Sequence, residues 1–106
     1  MMKVAQKIAC IGECMVEVSH QSDGQMGLSY GGDTLNTAVY MSRLGLDVEY
    51  VTALGDDPYS IQMIEAWQDE GVGTDFVIRV ADRVPGLYAI RTDDRGERSF
   101  YYWRDQ

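Results

Sequence analysis

A chain of 106 residues accommodates one modest core and no more. Nine Lys and Arg against 17 Asp and Glu leave a formal net charge of −8, which argues against a grip on nucleic-acid phosphates or anionic lipid, since both need clustered cations. A hydrophobic share of 45% with 25% charged residues is that of an ordinary globular protein and excludes disorder, and no apolar run approaches the ~20 residues of a membrane span. The apolar run Ile8–Ile11 is too short for the core of a signal peptide and meets Gly12 and Glu13, so a cytoplasmic location is expected.

From the amino terminus, Lys7–Gly12 (KIACIG) reads as a short buried strand ended by glycine. Cys14, Val16 and Val18 then alternate with Glu17 and Ser19, the pattern of a half-buried strand. Cys10 and Cys14 lie in this apolar stretch with a single histidine, His20, in the whole chain, a poor zinc set; they read as reduced structural thiols. His20 stands beside Gln21, Ser22, Asp23 and Gly24 and reads as a loop residue; the polar stretch to Tyr30 reads as loop with a short strand around Leu28.

Asp33 reads as the N-cap of a helix whose stripe is Leu35, Ala38, Val39 and Ser42 and whose end is Gly45. Val48–Leu54 (VEYVTAL) is rich in β-branched and aromatic residues and reads as a strand. Asp57 caps a second helix with Pro58 at its first position, Ile61, Ile64 and Trp67 along its inner face and Gly71 at its close. Strand, helix, strand, helix is the order of a parallel sheet with crossover helices, so the fold class is α/β.

The last third is strand-like. Phe76, Ile78 and Val80 alternate, and Leu87–Thr92 and Glu97–Arg104 flank Asp94-Arg95-Gly96, a three-residue hairpin loop with Gly96 in the left-handed position. That loop pairs Asp93 with Glu97, Tyr88 with Tyr102 and Ile90 with Phe100, so Tyr88, Tyr102 and Arg104 share one face. Two phenols and a guanidinium on one face are either a well-paired hairpin or a small-ligand site, in which Arg104 takes a carboxylate and the phenols supply hydroxyls and apolar walls. Gly31-Gly32-Asp33-Thr34-Leu35-Asn36 is the second candidate: a tight turn with a cap, or a place where backbone approaches an oxygen-rich ligand while Asp33 accepts from hydroxyls and Asn36 donates and accepts. Neither a Walker loop nor a dinucleotide fingerprint is present.

The runs Ile11–Glu17 (IGECMVE), Gly31–Met41 (GGDTLNTAVYM), Tyr50–Asp57 (YVTALGDD) and Pro85–Arg104 (PGLYAIRTDDRGERSFYYWR) resemble the amino-terminal part of the 2-keto-3-deoxygluconate kinases, which are ribokinase-like, phosphofructokinase-B-type sugar kinases. The resemblance covers the chain from about Lys7 to Arg104. It implies a large α/β domain with a mostly parallel sheet (about 7–15 and 31–73) and a small β-sheet lid (about 16–30 and 74–104, including Phe76–Val80), the lid also serving as a dimer contact. It further implies that Gly32, Asp33, Thr34, Leu35 and Asn36 bind sugar hydroxyls, while Tyr88, Tyr102, Trp103 and Arg104 hold the keto-acid end. ATP and Mg2+ would be the cofactors of the full-length enzyme, and a small sugar acid its substrate. The family's catalytic Asp belongs to a Gly-Ala-Gly-Asp segment that nothing in this chain matches, so the chain is expected to be an amino-terminal fragment, inactive alone, with no catalytic residue and no metal ligand of its own. A fructokinase-like or ribokinase-like relative, with less need of Arg104, and a free-standing binding or dimerisation module are the rival readings. A sheet ending after two parallel strands would leave an open edge, so a homo-oligomer is expected.

Overall fold

The β-branched and aromatic run after Leu46 forms strand β4 (Asp47–Gly55), on which the first sheet is built. In the computed structural model, which describes residues 6–20 and 23–104, β1 (Lys7–Ile11) lies parallel along one side of β4, with Lys7 opposite Asp47 and Ile11 opposite Val51. Helix α1 (Asp33–Arg43) precedes β4 and helix α2 (Pro58–Asp69) follows it. After α2 the chain returns as β5 (Val77–Val80), parallel to the other side of β4, Thr52 opposite Val77. The Phe76–Val80 strand expected in the lid therefore belongs to the first sheet, and that sheet has three strands (β1-β4-β5) instead of two. A parallel strand reached through a crossover helix is what this strand–helix–strand order favours. The alternation places Val77 against the core and leaves Phe76, Ile78 and Val80 exposed.

The core lies between this sheet and the two helices. Val48, Tyr50 and Leu54 meet Leu35, Ala38, Met63 and Trp67, and the Tyr50 and Trp67 rings touch edge to face with centroids 5.0 Å apart. The Tyr50 hydroxyl is paired with Thr34 Oγ1 at 2.8 Å, which satisfies it in a site where burial pushes its ionisation up to about 12. The face of α2 is phased differently from the sequence expectation: Ser60, Met63 and Trp67 are buried, Ile64 only partly, and Ile61 is 42% exposed. The cause is Ser60, whose hydroxyl donates to Asp57 Oδ1 (2.6 Å) and accepts from the Gly55 N–H (3.0 Å), so that position 60 is turned inward. The opposite face of the sheet is largely uncovered, with Glu49 buried on it against Gly73. Ile8 and Cys10 are half-buried towards the helices, whereas Ala9 and Ile11 (70% exposed) point outward, so Lys7–Gly12 is not the buried strand its composition implies.

The second sheet has the order β3-β2-β6-β7, from β2 (Met15–His20), β3 (Met26–Gly31), β6 (Leu87–Thr92) and β7 (Arg98–Trp103). His20 is the last residue of β2, paired with Met26, and not a loop residue; Gln21 and Ser22 of the expected loop lie outside the described residues. The β6–β7 hairpin has the expected register, Tyr88 opposite Tyr102 and Ile90 opposite Phe100. The Asp93 N–H donates to the Glu97 carbonyl at 2.9 Å, and Gly96 has φ +82°, a left-handed conformation that favours glycine. β2 joins the hairpin in parallel, Glu17 beside Tyr88.

Asp57 caps α2 as expected, its carboxylate accepting from the Tyr59 and Ser60 N–H groups. Partial desolvation pushes this carboxyl up, but the bonds from the Ser60 hydroxyl and the Ser60 and Tyr59 N–H groups outweigh it and hold it below its ordinary 3.8. A depressed carboxyl stabilises the fold above its unfolded value and loses that contribution as pH falls through its folded value. Asp57→Ala is expected to lower stability by about 0.5–2 kcal/mol at pH 7 and to flatten the acid limb below pH 3.8, as read from urea unfolding midpoints across pH; an unchanged midpoint at pH 7 would remove the cap from the account.

Candidate functional site

The chain leaves the first sheet after β1, crosses to β2, and returns from β3 into α1 at nearly the same point, because Met15 at the start of β2 pairs with Gly31 at the end of β3. There the backbone of Gly32 lies so close to the Glu13 carbonyl that a Cβ at position 32 would collide with it. The backbone of Gly32 is extended (φ 164°), so closeness and not dihedral freedom requires glycine. Gly32 is also the N-cap, and no side chain caps α1. Asp33 is the first helical residue instead of the expected cap, which leaves its carboxylate uncommitted to its own helix. Asn36 is held one turn on, its N–H donating to the Gly32 carbonyl at 2.9 Å.

Opposite this helix start stands the hairpin. The rings of Tyr88 and Tyr102 stack with centroids 5.9 Å apart, Phe100 stacks on Tyr102 at 6.4 Å, and the Arg104 guanidinium lies 5.5 Å from the centre of the Tyr102 ring. Arg104 Nε donates to Glu13 Oε1 at 3.1 Å and its Nη2 to the same oxygen. Those hydrogen bonds, and the Glu13 charge, push the Arg104 guanidinium further up and keep it protonated. Behind Tyr88, its hydroxyl donates to Glu17 Oε1; burial first, then Glu17, pushes the phenol's ionisation well above its ordinary value.

Gly32, Asp33, Thr34 and Asn36 from the helix start and Tyr88, Tyr102 and Arg104 from the hairpin thus line one open cleft of about 380 Å³ between the start of α1 and the second sheet. Two of the sequence candidates are elsewhere. Leu35 is 4% exposed and points into the core, as the helical period demands one residue after Thr34. Trp103 is turned by the strand alternation to the other face of the second sheet, where with Val16, Val18 and Leu87 it lines an apolar groove of about 570 Å³. Glu13, Met15 and Phe100 also line the cleft and were not anticipated. Phe100 follows from the alternation that groups Tyr102 with Arg104; Glu13 lies between two strands and carries no periodic signal, only its position just past the carboxyl end of a parallel strand.

Chemically the cleft offers carboxylate and amide acceptors on one wall, and a forked cation with stacked phenols on the other, a set fitted to a polyhydroxy ligand with an anionic end. Cys14 contributes no nucleophile: burial pushes its thiol up to about 12, in keeping with a structural role. Among the described residues no group of three His, Cys, Asp or Glu side chains converges as metal ligands do.

The sequence matches the model of the pfkB family carbohydrate kinases over residues 5–106. The chain belongs to the pfkB family. It is 55% identical over 104 residues to the 2-dehydro-3-deoxygluconokinase of Dickeya dadantii, covering 94% of this chain and 33% of that protein. It is 52% identical over 108 residues to the enzyme of the same name from Escherichia coli K12, covering 97% of this chain and 34% of that protein. The chain thus spans about a third of the length of the curated relatives it matches. Its fold superposes on the Xylella fastidiosa fructokinase crystallised with ATP, with TM-score 0.84, 28% identity and coverage of 95% of this chain and 34% of that one. It superposes likewise on the 2-dehydro-3-deoxygluconokinase of Thermotoga maritima, with TM-score 0.82, 27% identity and coverage of 92% and 32%. The α/β arrangement of a parallel sheet with a second, mixed sheet is therefore that of the amino-terminal third of these pfkB kinases.

Proposed function

We propose that this pfkB segment forms the sugar-acid side of the acceptor site in a kinase that phosphorylates 2-keto-3-deoxygluconate (2-dehydro-3-deoxygluconate) with ATP. The observation that carries the reading is the presence of the Arg104 fork in the same cleft as Asp33 and Asn36. A carboxylate needs the first, and sugar hydroxyls need the second. Among the curated relatives, identities of 49–55% to those from Dickeya dadantii, Escherichia coli and Haemophilus influenzae named for that sugar acid, against 28–31% to those named fructokinase, support the same choice.

In such a kinase ATP supplies the phosphoryl group and Mg2+ neutralises its charge during in-line transfer. Among the described residues no group of three His, Cys, Asp or Glu side chains converges as metal ligands do, so no metal role is assigned to them. This chain's residues are accordingly assigned the acceptor alone. Gly32 lets the ligand approach the helix start, Asp33 and Asn36 orient hydroxyls, and the aromatic wall excludes water from one side of the sugar. Arg104 exchanges Glu13 for the substrate carboxylate; the Glu13 pair is exposed and screened by solvent, so it orients the guanidinium without outcompeting a substrate.

The reading also places the protein in the cytoplasm, where ATP is available; no described helix is long and apolar enough to cross a membrane. Self-association belongs to it as well. Parallel sheets are covered on both faces, whereas here Ile11, Ile78 and Val80 stand exposed on one. Through that sheet or the outer face of the second one the chain is expected to form dimers or larger species at micromolar concentration; sedimentation velocity showing a stable monomer would contradict this.

In the kinase that contains this chain, Arg104→Ala is expected to reduce kcat/KM for the sugar acid by about 10- to 150-fold, the range set by hydrogen bonds to charged groups worth about 1.5–3 kcal/mol. Most of the loss should fall in KM for the sugar acid, little in KM for ATP, and a neutral analogue lacking the carboxylate should be nearly indifferent. Equal damage to both acceptors would reduce Arg104 to a stiffener of the hairpin.

A further inference from the structure

We propose that Glu17 fixes the polarity of the Tyr88 hydroxyl, so that Tyr88 presents the cleft with an acceptor for a ligand hydroxyl and not with a donor for its carboxylate or keto oxygen; this rests on the sugar-acid reading above and deepens it.

Glu17 and Tyr88 are directly paired across the parallel β2–β6 contact and so point to the same face of the second sheet. The Tyr88 hydroxyl donates to Glu17 Oε1. Space for the pair is kept by Gly31 on β3, where a Cβ would collide with the Tyr88 hydroxyl and crowd the Glu17 carboxylate. A phenol has one proton and a carboxylate has none to give, so that proton is committed to Glu17 and only lone pairs remain for the cleft. Hydrogen bonds to an ionised acceptor are roughly twice as strong as neutral ones. A ligand oxygen that required a donor at this point would have to break such a bond and leave Glu17 half-buried without it.

Tyr102 is different. Its ring stacks on Tyr88, but its hydroxyl makes no hydrogen bond among the described residues, and the neighbouring Arg104 can only donate. The stacked phenols are therefore not interchangeable. Tyr102 and Arg104 serve the acid end, whereas Tyr88, with Asp33 and Asn36, requires a hydroxyl. Glu17 does not line the cleft; it acts through Tyr88 as a positioning residue.

The test has two arms. In this chain, tyrosinate absorbance is followed against pH for wild type, Tyr88→Phe and Glu17→Gln, with circular dichroism recording that each variant is folded. Subtracting the Tyr88→Phe curve isolates Tyr88, which is expected to ionise at lower pH once the carboxylate is replaced; an unmoved Tyr88 transition overturns the pairing. In the kinase that contains the chain, KM and kcat are measured for the sugar acid and for deoxy and deoxyfluoro analogues at each hydroxyl in turn. At one hydroxyl, deoxy and fluoro replacement are expected to cost the same, about 2- to 12-fold in kcat/KM and chiefly in KM, because only a lost donor matters to an acceptor. Tyr88→Phe should abolish that penalty, and Glu17→Leu, which removes the acceptor of the Tyr88 proton, should make the fluoro analogue better tolerated than the deoxy one. Fluorine rescue in the wild type, or a penalty that survives Tyr88→Phe, overturns the proposal. A kinase active only on neutral sugars would contradict the sugar-acid reading, and the same analogue series built on that sugar would still decide the polarity of Tyr88.

Discussion

The backbone of Gly32 rests against the Glu13 carbonyl too closely for any side chain, and the placement of the whole cleft follows from that contact. The chain passes from the first sheet to the second through Glu13 and comes back through Gly32, and the Met15–Gly31 pair holds both crossings together. One consequence is that the first turn of α1 opens beneath the second sheet. Another is that Glu13, fixed by the same contact, faces the end of β7 and reaches Arg104. The acceptor wall and the cationic wall, far apart in sequence, are thus set opposite each other by one backbone approach.

The strength of the site lies in orientation more than in any single bond. The Arg104–Glu13 pair is exposed on both sides and stabilises little, but with the Tyr102 ring beneath it the guanidinium is held in a defined plane. Asp33 is kept free because Gly32 takes the cap position, and Thr34, beside it in the cleft, is anchored by the bond between its hydroxyl and that of Tyr50. Around Tyr88 the division of roles comes from one proton and from the room that Gly31 leaves.

Much of this was legible in the chain. The hairpin register followed from Asp94-Arg95-Gly96, since a loop of fixed length with one left-handed glycine admits one pairing, and the shared face of Tyr88, Tyr102 and Arg104 followed from the register. The same alternation, applied to the resemblance-based assignments, separates Trp103 from them, and the helical period separates Leu35 from Asp33 and Asn36. What escaped did so for local reasons. β3 (Met26–Gly31) is legible only as a short strand around Leu28, because Gly27 and Ser29, facing Ser19 and Glu17, leave it little apolar alternation. The phase of α2 is set by a buried hydroxyl network at Ser60, which hydrophobicity does not report. The sheet to which β5 belongs depends on pairing partners far away in sequence, and Glu13 owes its place to the crossing of two strands.

The central claim, that the start of α1 and the second sheet share one sugar-acid cleft, is tested most directly by following the backbone amide resonances of the isotopically labelled chain during titration with 2-keto-3-deoxygluconate. The account predicts saturable shifts confined to Glu13, Gly32, Asp33, Thr34, Asn36, Tyr88, Tyr102 and Arg104, residues that meet at the cleft. Shifts that fall instead around Leu28, Val84 and Trp103, on the apolar groove of the opposite face, or no saturable shift at all, would contradict it.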